Sequence, residues 1–313
     1  MHRLTVILPG SMIELAAKEN GNVIVILALA LSVLLGCTAL AVDTGVLYLE
    51  HNRLVRAADA AALAGGQELP DASKALSVAF NYAQQNGIDT ADPNFFTVSI
   101  SPDNKKITVE IKKNVDLHFA RVLGFNTSRV KGRAAANISP VKKTTGILPV
   151  GLDESLLPLA AGQTYIIKVG FPEVGWTGIL EYPGQSGADD YRKSARYGYP
   201  NPVTVGDNEN KAPGNVTGPT IQGIQERIDS SGDTWNNPLS DSQRVVVVPI
   251  YRVLGASPID NVKVVGFASV FLEKVVGAGN KNEVFVTYIN HTISGETDDT
   301  LTTSYVNSVR LVE

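Results

Sequence analysis

Glu19–Gly66 reads ENGNVIVILALALSVLLGCTALAVDTGVLYLEHNRLVRAADAAALAGG, and this stretch decides the architecture. From Asn20 to Val42 no side chain carries a charge. As a helix, about 23 residues rising about 1.5 Å each reach about 34 Å, and a bilayer's hydrocarbon core is roughly 30 Å thick. In lipid a lone segment must satisfy its backbone hydrogen bonds internally, which a helix does. A soluble core helix of this length shows a polar face, and this one has none. Gly21, Val23, Leu27, Leu31, Leu35, Cys37 and Val42 are therefore assigned to a membrane span.

The helical pattern continues past the span. Asp43 marks the interface, and Leu47, Leu54, Ala58 and Ala61 recur at helical spacing. The end of the stretch is rich in alanine. That composition favours helix by itself, and small side chains also let another helix approach closely. Asp43, Leu54, Ala58, Asp59, Ala61, Ala62 and Ala64 are taken as a partner-packing face. Gly65-Gly66 is the expected helix terminator.

Particular polar residues make this stretch specific. Glu19 and Gly21 precede the apolar span, and Ala41-Val42-Asp43, Gly45, Tyr48, Leu54 and Ala58–Ala64 follow it. The pattern resembles the N-terminal segment of the TadE/TadG-like proteins of Flp (tight adherence, Tad) pilus assembly. The resemblance implies a minor-pilin-like envelope protein, anchored by one pass, with its long C-terminal part outside the cytoplasm. It implies partners among pilus subunits, sister minor pilins and the inner-membrane assembly platform, and it implies no chemistry. Larger TadG proteins carry a metal-binding Asp-x-Ser-x-Ser motif. Here Asp71-Ala72-Ser73-Lys74-Ala75 comes nearest and fails at its last position.

With 313 residues the chain has room for two modest domains beyond the anchor. A net charge of −4 gives no electrostatic footprint for nucleic acid. The single cysteine, Cys37, cannot form an intrachain disulfide. Basic residues lie on both sides of the span, so the positive-inside rule does not orient it. Three processing signals are approached and none is met in full. Leu34–Cys37 approaches a lipoprotein site, but the chain stays apolar to Val42. Ala62-Leu63-Ala64 has a signal-peptidase form but lies far beyond the span, and Gly10 precedes the apolar run by too much for a pilin leader.

Residues 1–18 read as a cytoplasmic leader, and 67–140 as a small α+β domain. Ala72, Leu76, Ala79, Phe80 and Ala83 share one helical face, with Asp71 as N-cap and Gly87 at the C-cap. Two strands follow, Phe96–Ile100 and Ile107–Ile111, turning at Pro102–Lys105. Asp116–Phe125 reads as a short helix, and Val130–Ile138 as a third strand. Residues 141–146 are polar and read as a linker. From 147 to 313 the chain is β-rich, with strands expected at 165–169, 179–182, 244–253, 262–272, 284–289 and 305–312. A helix is expected at Thr220–Ser230 and loops at Pro183–Pro219. Gly206–Gly223 and Gly266–Glu273 resemble a C-terminal region attached to such Tad-type segments. The fold class is thus α+β: an extended membrane helix, a helix-on-sheet domain, then a β-rich domain.

No motif for chemistry emerges. His2, His51, His118 and His291 lack a second ligand at helical spacing. Asp207-Asn208-Glu209-Asn210 lacks the glycine and closing glutamate of a calcium loop, and turn chemistry explains it better. Gly214–Thr220 is read as a turn into a helix rather than an anion site. Asp153-Glu154 and Asp189-Asp190 are read as solvated loop pairs. No catalytic, cofactor or metal residue is assigned. The reading is a non-enzymatic structural or assembly component. The alternatives are a membrane-anchored adhesin, motivated by Tyr182, Tyr191, Tyr197 and Tyr199, and an envelope hydrolase.

Overall fold

The computed structural model describes residues 20–169, 178–213, 216–239, 241–255, 261–278 and 281–312. The leader at 1–18 and the Gly214-Asn215 turn lie outside them. In chain order, helix α1 is Asn20–Gln67 and α2 Ala72–Gln85. Strands β1 Phe96–Ile100, β2 Lys106–Asp116, β3 Thr127–Thr144, β4 Leu152–Asp153, β5 Thr164–Val169 and β6 Leu180–Glu181 follow. Then come α3 Gly187–Tyr197, β7 Val203–Thr204, β8 Asn208–Lys211 and α4 Thr217–Ile228. The chain closes with β9 Val245–Leu254, β10 Asn261–Ala278, β11 Lys281–Tyr288, β12 Glu296–Thr297 and β13 Asn307–Val312. The fold is α+β with a β-rich C-terminal region.

The chain divides into two compact units. Among the described residues the first joins 20–56 to the hairpin 111–132. Here β3 crosses α1 at backbone contact: a Cβ at Gly132 would stand 2.6 Å from Leu54 O and Val55 N. At the hairpin's turn the expected helix over Asp116–Phe125 is replaced. Strand β2 runs to Asp116, and only a 3₁₀ turn forms at Ala120–Leu123, stopped by Gly124 at φ +90°. The N–H groups that a longer helix leaves unpaired at its start are taken instead by a carboxylate of α1.

The second unit comprises 57–110 and 133–313. Its first sheet contains β1, β2 and β3, with β7, β12 and β13 all pairing to β3. Helix α2 covers β1, with Phe80 and Phe96 meeting edge to face at 4.9 Å. Asp71 caps α2 by accepting from the Lys74 N–H at 3.1 Å. Asp71→Ala should therefore cost about 1 kcal/mol, read as a small drop in the urea midpoint at unchanged slope. An unchanged midpoint would deny the cap its role.

The linker reading of 141–146 is corrected here. β3 continues through Thr144, with Val141 and Thr144 buried and Lys142 and Lys143 partly exposed. Val141 and Thr144, three residues apart, are buried on opposite faces of the strand, so no two-residue alternation marks it. Gly65 and Gly66 likewise do not end α1. They lie inside it, and a Cβ at Gly65 would meet Ile107 Cδ1 at 2.7 Å and Ala75 O at 2.8 Å. They are glycines because the helix and its neighbours touch there.

The second sheet runs β4-β9-β10-β11-β5, with β8 on β10 and β6 on β8. Val246 and Val248 enter one core with Leu148, Val270, Tyr191 and Ile224. Val247 packs against the other, which joins Val141 and Val203 of the first sheet to Val262, Val264 and Phe267. The continuous β-branched run thus has apolar cover on both faces. Pro249 sits within β9, opposite Phe267 and close to the register shift at Val264/Gly266. Helix α3 lies where loop was expected. Its buried face is Tyr191, Ser194 and Ala195, set against the exposed charges of Asp189, Arg192 and Lys193. Asp189 and Asp190, read as loop carboxylates, occupy its first turn, and Asp190 accepts from the Ser186 N–H at 2.9 Å. Ser186-Gly187-Ala188-Asp189 has the capping-box spacing and is the signal in the sequence for this helix start.

Candidate functional site

The helix α1 carries two different surfaces. Val23, Leu27, Leu31, Leu35, Cys37 and Val42 are exposed, and Gly21 lies on the same helix. The hydroxyls in this part turn inward to the backbone: Ser32 donates to Ala28 O at 2.9 Å and Thr38 to Leu34 O at 2.8 Å. Both hydroxyl donors are thereby satisfied, as an apolar solvent requires. Among the described residues α1 is the one helix long and apolar enough to cross a membrane.

Beyond the span the helix is covered by its own chain. Leu54, Ala58, Ala61, Ala62 and Ala64 are buried, and Asp59 is half-buried. The partner-helix contact expected at these positions is therefore occupied from within. Small side chains do permit close approach, but the elements approaching are this chain's own strands and α2. Sequence spacing shows that a face is small and apolar, and does not show which chain fills it.

Asp43 also turns inward. It is the first charged residue after the apolar run and is 5 % exposed. Its Oδ1 accepts from the His118 N–H at 2.8 Å and its Oδ2 from the Ala120 N–H at 2.7 Å. The Phe119 N–H is shared between both oxygens at 3.3 and 3.1 Å. Burial pushes this carboxyl up, but the three backbone donors outweigh it and hold it below the usual carboxylate range. The carboxylate therefore pins the hairpin turn to the helix. Two further ties lie along the helix: Lys113 Nζ meets Glu50 Oε2 at 3.1 Å, and His51 Nδ1 donates to Lys131 O at 2.9 Å.

The aromatic residues that motivated an adhesin are mostly interior. Tyr182, Tyr191 and Tyr199 are buried, and only Tyr197 is exposed. Tyr182 and Tyr199 stack at 4.6 Å, donating to Leu148 O and Pro183 O. Burial pushes the Tyr191 hydroxyl up to about 12. The three buried rings build the core, and Tyr197 alone of the four faces outward.

Two polar places remain. A groove of about 800 Å³ is lined by Glu68, Asp71, Lys74, Trp235, Asn290 and His291, among others. Its polar groups are partly committed: Asp71 caps α2, and Asn290 donates to Leu69 O at 3.1 Å. Burial lowers the affinity of His291 for a proton, which the Glu68 carboxylate only partly offsets. The second place is Glu209 on β8, 6 % exposed beside Tyr182 and Asp207. Asp207 Oδ2 accepts from the Thr204 N–H at 2.8 Å, so this segment is a turn entering a strand. Among the described residues no group of three or more His, Cys, Asp or Glu side chains is placed to hold a metal.

Comparison with known proteins agrees with the first of the two surfaces. Residues 21–68 match the Tad family model, described as "Putative Flp pilus-assembly TadE/G-like". The N-terminal segment is thus TadE/TadG-like, and the match coincides with α1 almost residue for residue. No curated protein and no solved structure matches the chain.

Proposed function

We propose that this chain is a single-pass, membrane-anchored structural component of a Flp-type pilus or secretion apparatus, with a minor-pilin-like or assembly role. The observation that carries the reading is the match over residues 21–68, falling on a helix whose apolar part is exposed and bilayer-long. In this reading α1 holds the protein in the cell membrane, and the two sheets stand outside the cytoplasm. Pilus subunits, sister minor pilins and the inner-membrane platform are its partners. The role is mechanical, without catalysis, cofactor or nucleic acid.

Its partners then meet surfaces other than the alanine face, which the chain covers itself. Deletion of the gene tests the role. Loss of surface pili, restored by the wild-type chain, supports it. Normal pili with lost adhesion would overturn it in favour of a surface-binding module.

A further inference from the structure

The turn of the hairpin in the first unit carries four large apolar side chains with no cover. Phe119 and Phe125 are exposed, and Val122 and Leu123 stand at 87 % and 77 %. Leu27 and Leu35 in the span are exposed at 65 % and 61 %, so the turn is at least as open as the span. An apolar cluster of this kind marks an interaction surface. The turn is not a loose loop. The Leu117 N–H donates to Asn126 O at 2.9 Å across its base, and the Phe125 N–H donates to Ala120 O at 3.1 Å. The Asp43 carboxylate then takes the N–H groups of His118, Phe119 and Ala120.

That attachment fixes the turn's height along α1. Asp43 directly follows the uncharged run, so the four apolar side chains are held at the level where the span ends. Tyr48 and Leu49 lie roughly 8 Å farther along the helix and are exposed too. An amphipathic ring at that height suits a headgroup layer. Arg121, Arg129 and Lys131 are exposed on the same hairpin, which gives it basic charge beside its apolar tip. Apolar tip, basic flank and a fixed position at the end of a membrane span point to one occupant.

We propose that the Leu117–Asn126 turn inserts into the lipid interface beside α1, as a second membrane contact pinned in place by Asp43. Phe119, Val122, Leu123 and Phe125 enter the acyl boundary, and the basic residues meet anionic headgroups. The turn thereby fixes the helix's tilt and rotation, which a lone apolar span leaves open. The inference rests on α1 crossing the bilayer, and the test separates the two.

The full chain, with Cys37→Ser, is reconstituted in vesicles of phosphatidylethanolamine and phosphatidylglycerol. Single cysteines at Leu123, Leu35 or Asn104 carry a nitroxide, and collision with oxygen and with a water-soluble nickel chelate is measured. Position 35 should be oxygen-rich and chelate-poor, and position 104 the reverse. Position 123 should fall with position 35. Asp43→Asn should shift position 123 toward the aqueous value and leave position 35 unchanged. An aqueous signal at 123 with a lipidic signal at 35 overturns the insertion alone. An aqueous signal at 35 overturns the anchor itself. Protection at 123 that vanishes as the protein is diluted in lipid assigns the turn to a second copy of the chain and overturns the lipid contact. Protection at 123 untouched by Asp43→Asn overturns the pinning.

Discussion

Leucine at Ala61 and Ala62 together should destabilise the protein by several kcal/mol and lower its melting temperature by roughly ten degrees. Both alanines are 0 % exposed. Gly65 and Gly66 sit three to five residues on, on the same side of α1, where even a Cβ would press on Ile107, Ala75 O, Ala79 and Val309. Packing this tight does not relax into a larger cavity, and each forced insertion costs about 1–3 kcal/mol. The apolar part of α1 is untouched, so the variant should still fractionate with membranes. Thermal unfolding in detergent reads the effect. An unchanged melting temperature with lost partner co-purification would move these alanines back to an intermolecular contact.

Glu209→Gln should stabilise the protein at pH 8 by up to about 3 kcal/mol and leave it nearly unchanged at pH 4. Burial, with a smaller push from Asp207, raises this carboxyl from 4.5 to about 7. An acid whose pKa is higher folded than unfolded holds its proton better in the folded chain. Below about pH 4.5 both states are protonated and the site costs nothing. From about 4.5 to about 7 the unfolded chain ionises first, so stability falls as pH rises, and the loss is complete above about 7. The nearby Tyr182 hydroxyl is itself pushed up, by burial first and by the Glu209 charge second. Urea unfolding of both proteins across pH checks this. Parallel stability curves for wild type and variant would remove Glu209 as the cause.

Much of the architecture was readable from periodicity, because each element had one dominant environment. The span needs only an absence of charge, and α2 an i, i+4, i+7 stripe with a cap. β1, β2, β9 and β11 show alternation or β-branched runs. Where the environment was mixed the reading failed for a physical reason. α3 has few apolar residues, so its buried face of Tyr191, Ser194 and Ala195 is set off by the charges opposite it and not by an apolar stripe. β3 runs on through Ser139–Thr144, where Val141 and Thr144 are buried on opposite faces and two adjacent lysines separate them, so neither composition nor alternation marks the strand.

The candidate site divides in the same way. The chain's covalent order by itself determined that one segment is long and apolar enough to cross a bilayer, since hydrophobic transfer depends on composition and length. It also determined that the following face is small enough for close packing. Only the tertiary structure decided what fills that face, because a stripe of alanines is equally complementary to a partner helix or to the chain's own sheet. Only the tertiary structure brought β13 beside β3, a pairing between strands far apart in sequence whose register no local pattern encodes. The same holds for Asp43. A carboxylate at the end of an apolar run needs hydrogen-bond donors, and its donors are backbone N–H groups some 75 residues away at His118, Phe119 and Ala120. Backbone amides carry no side-chain signature, so folding alone could show where they come to rest.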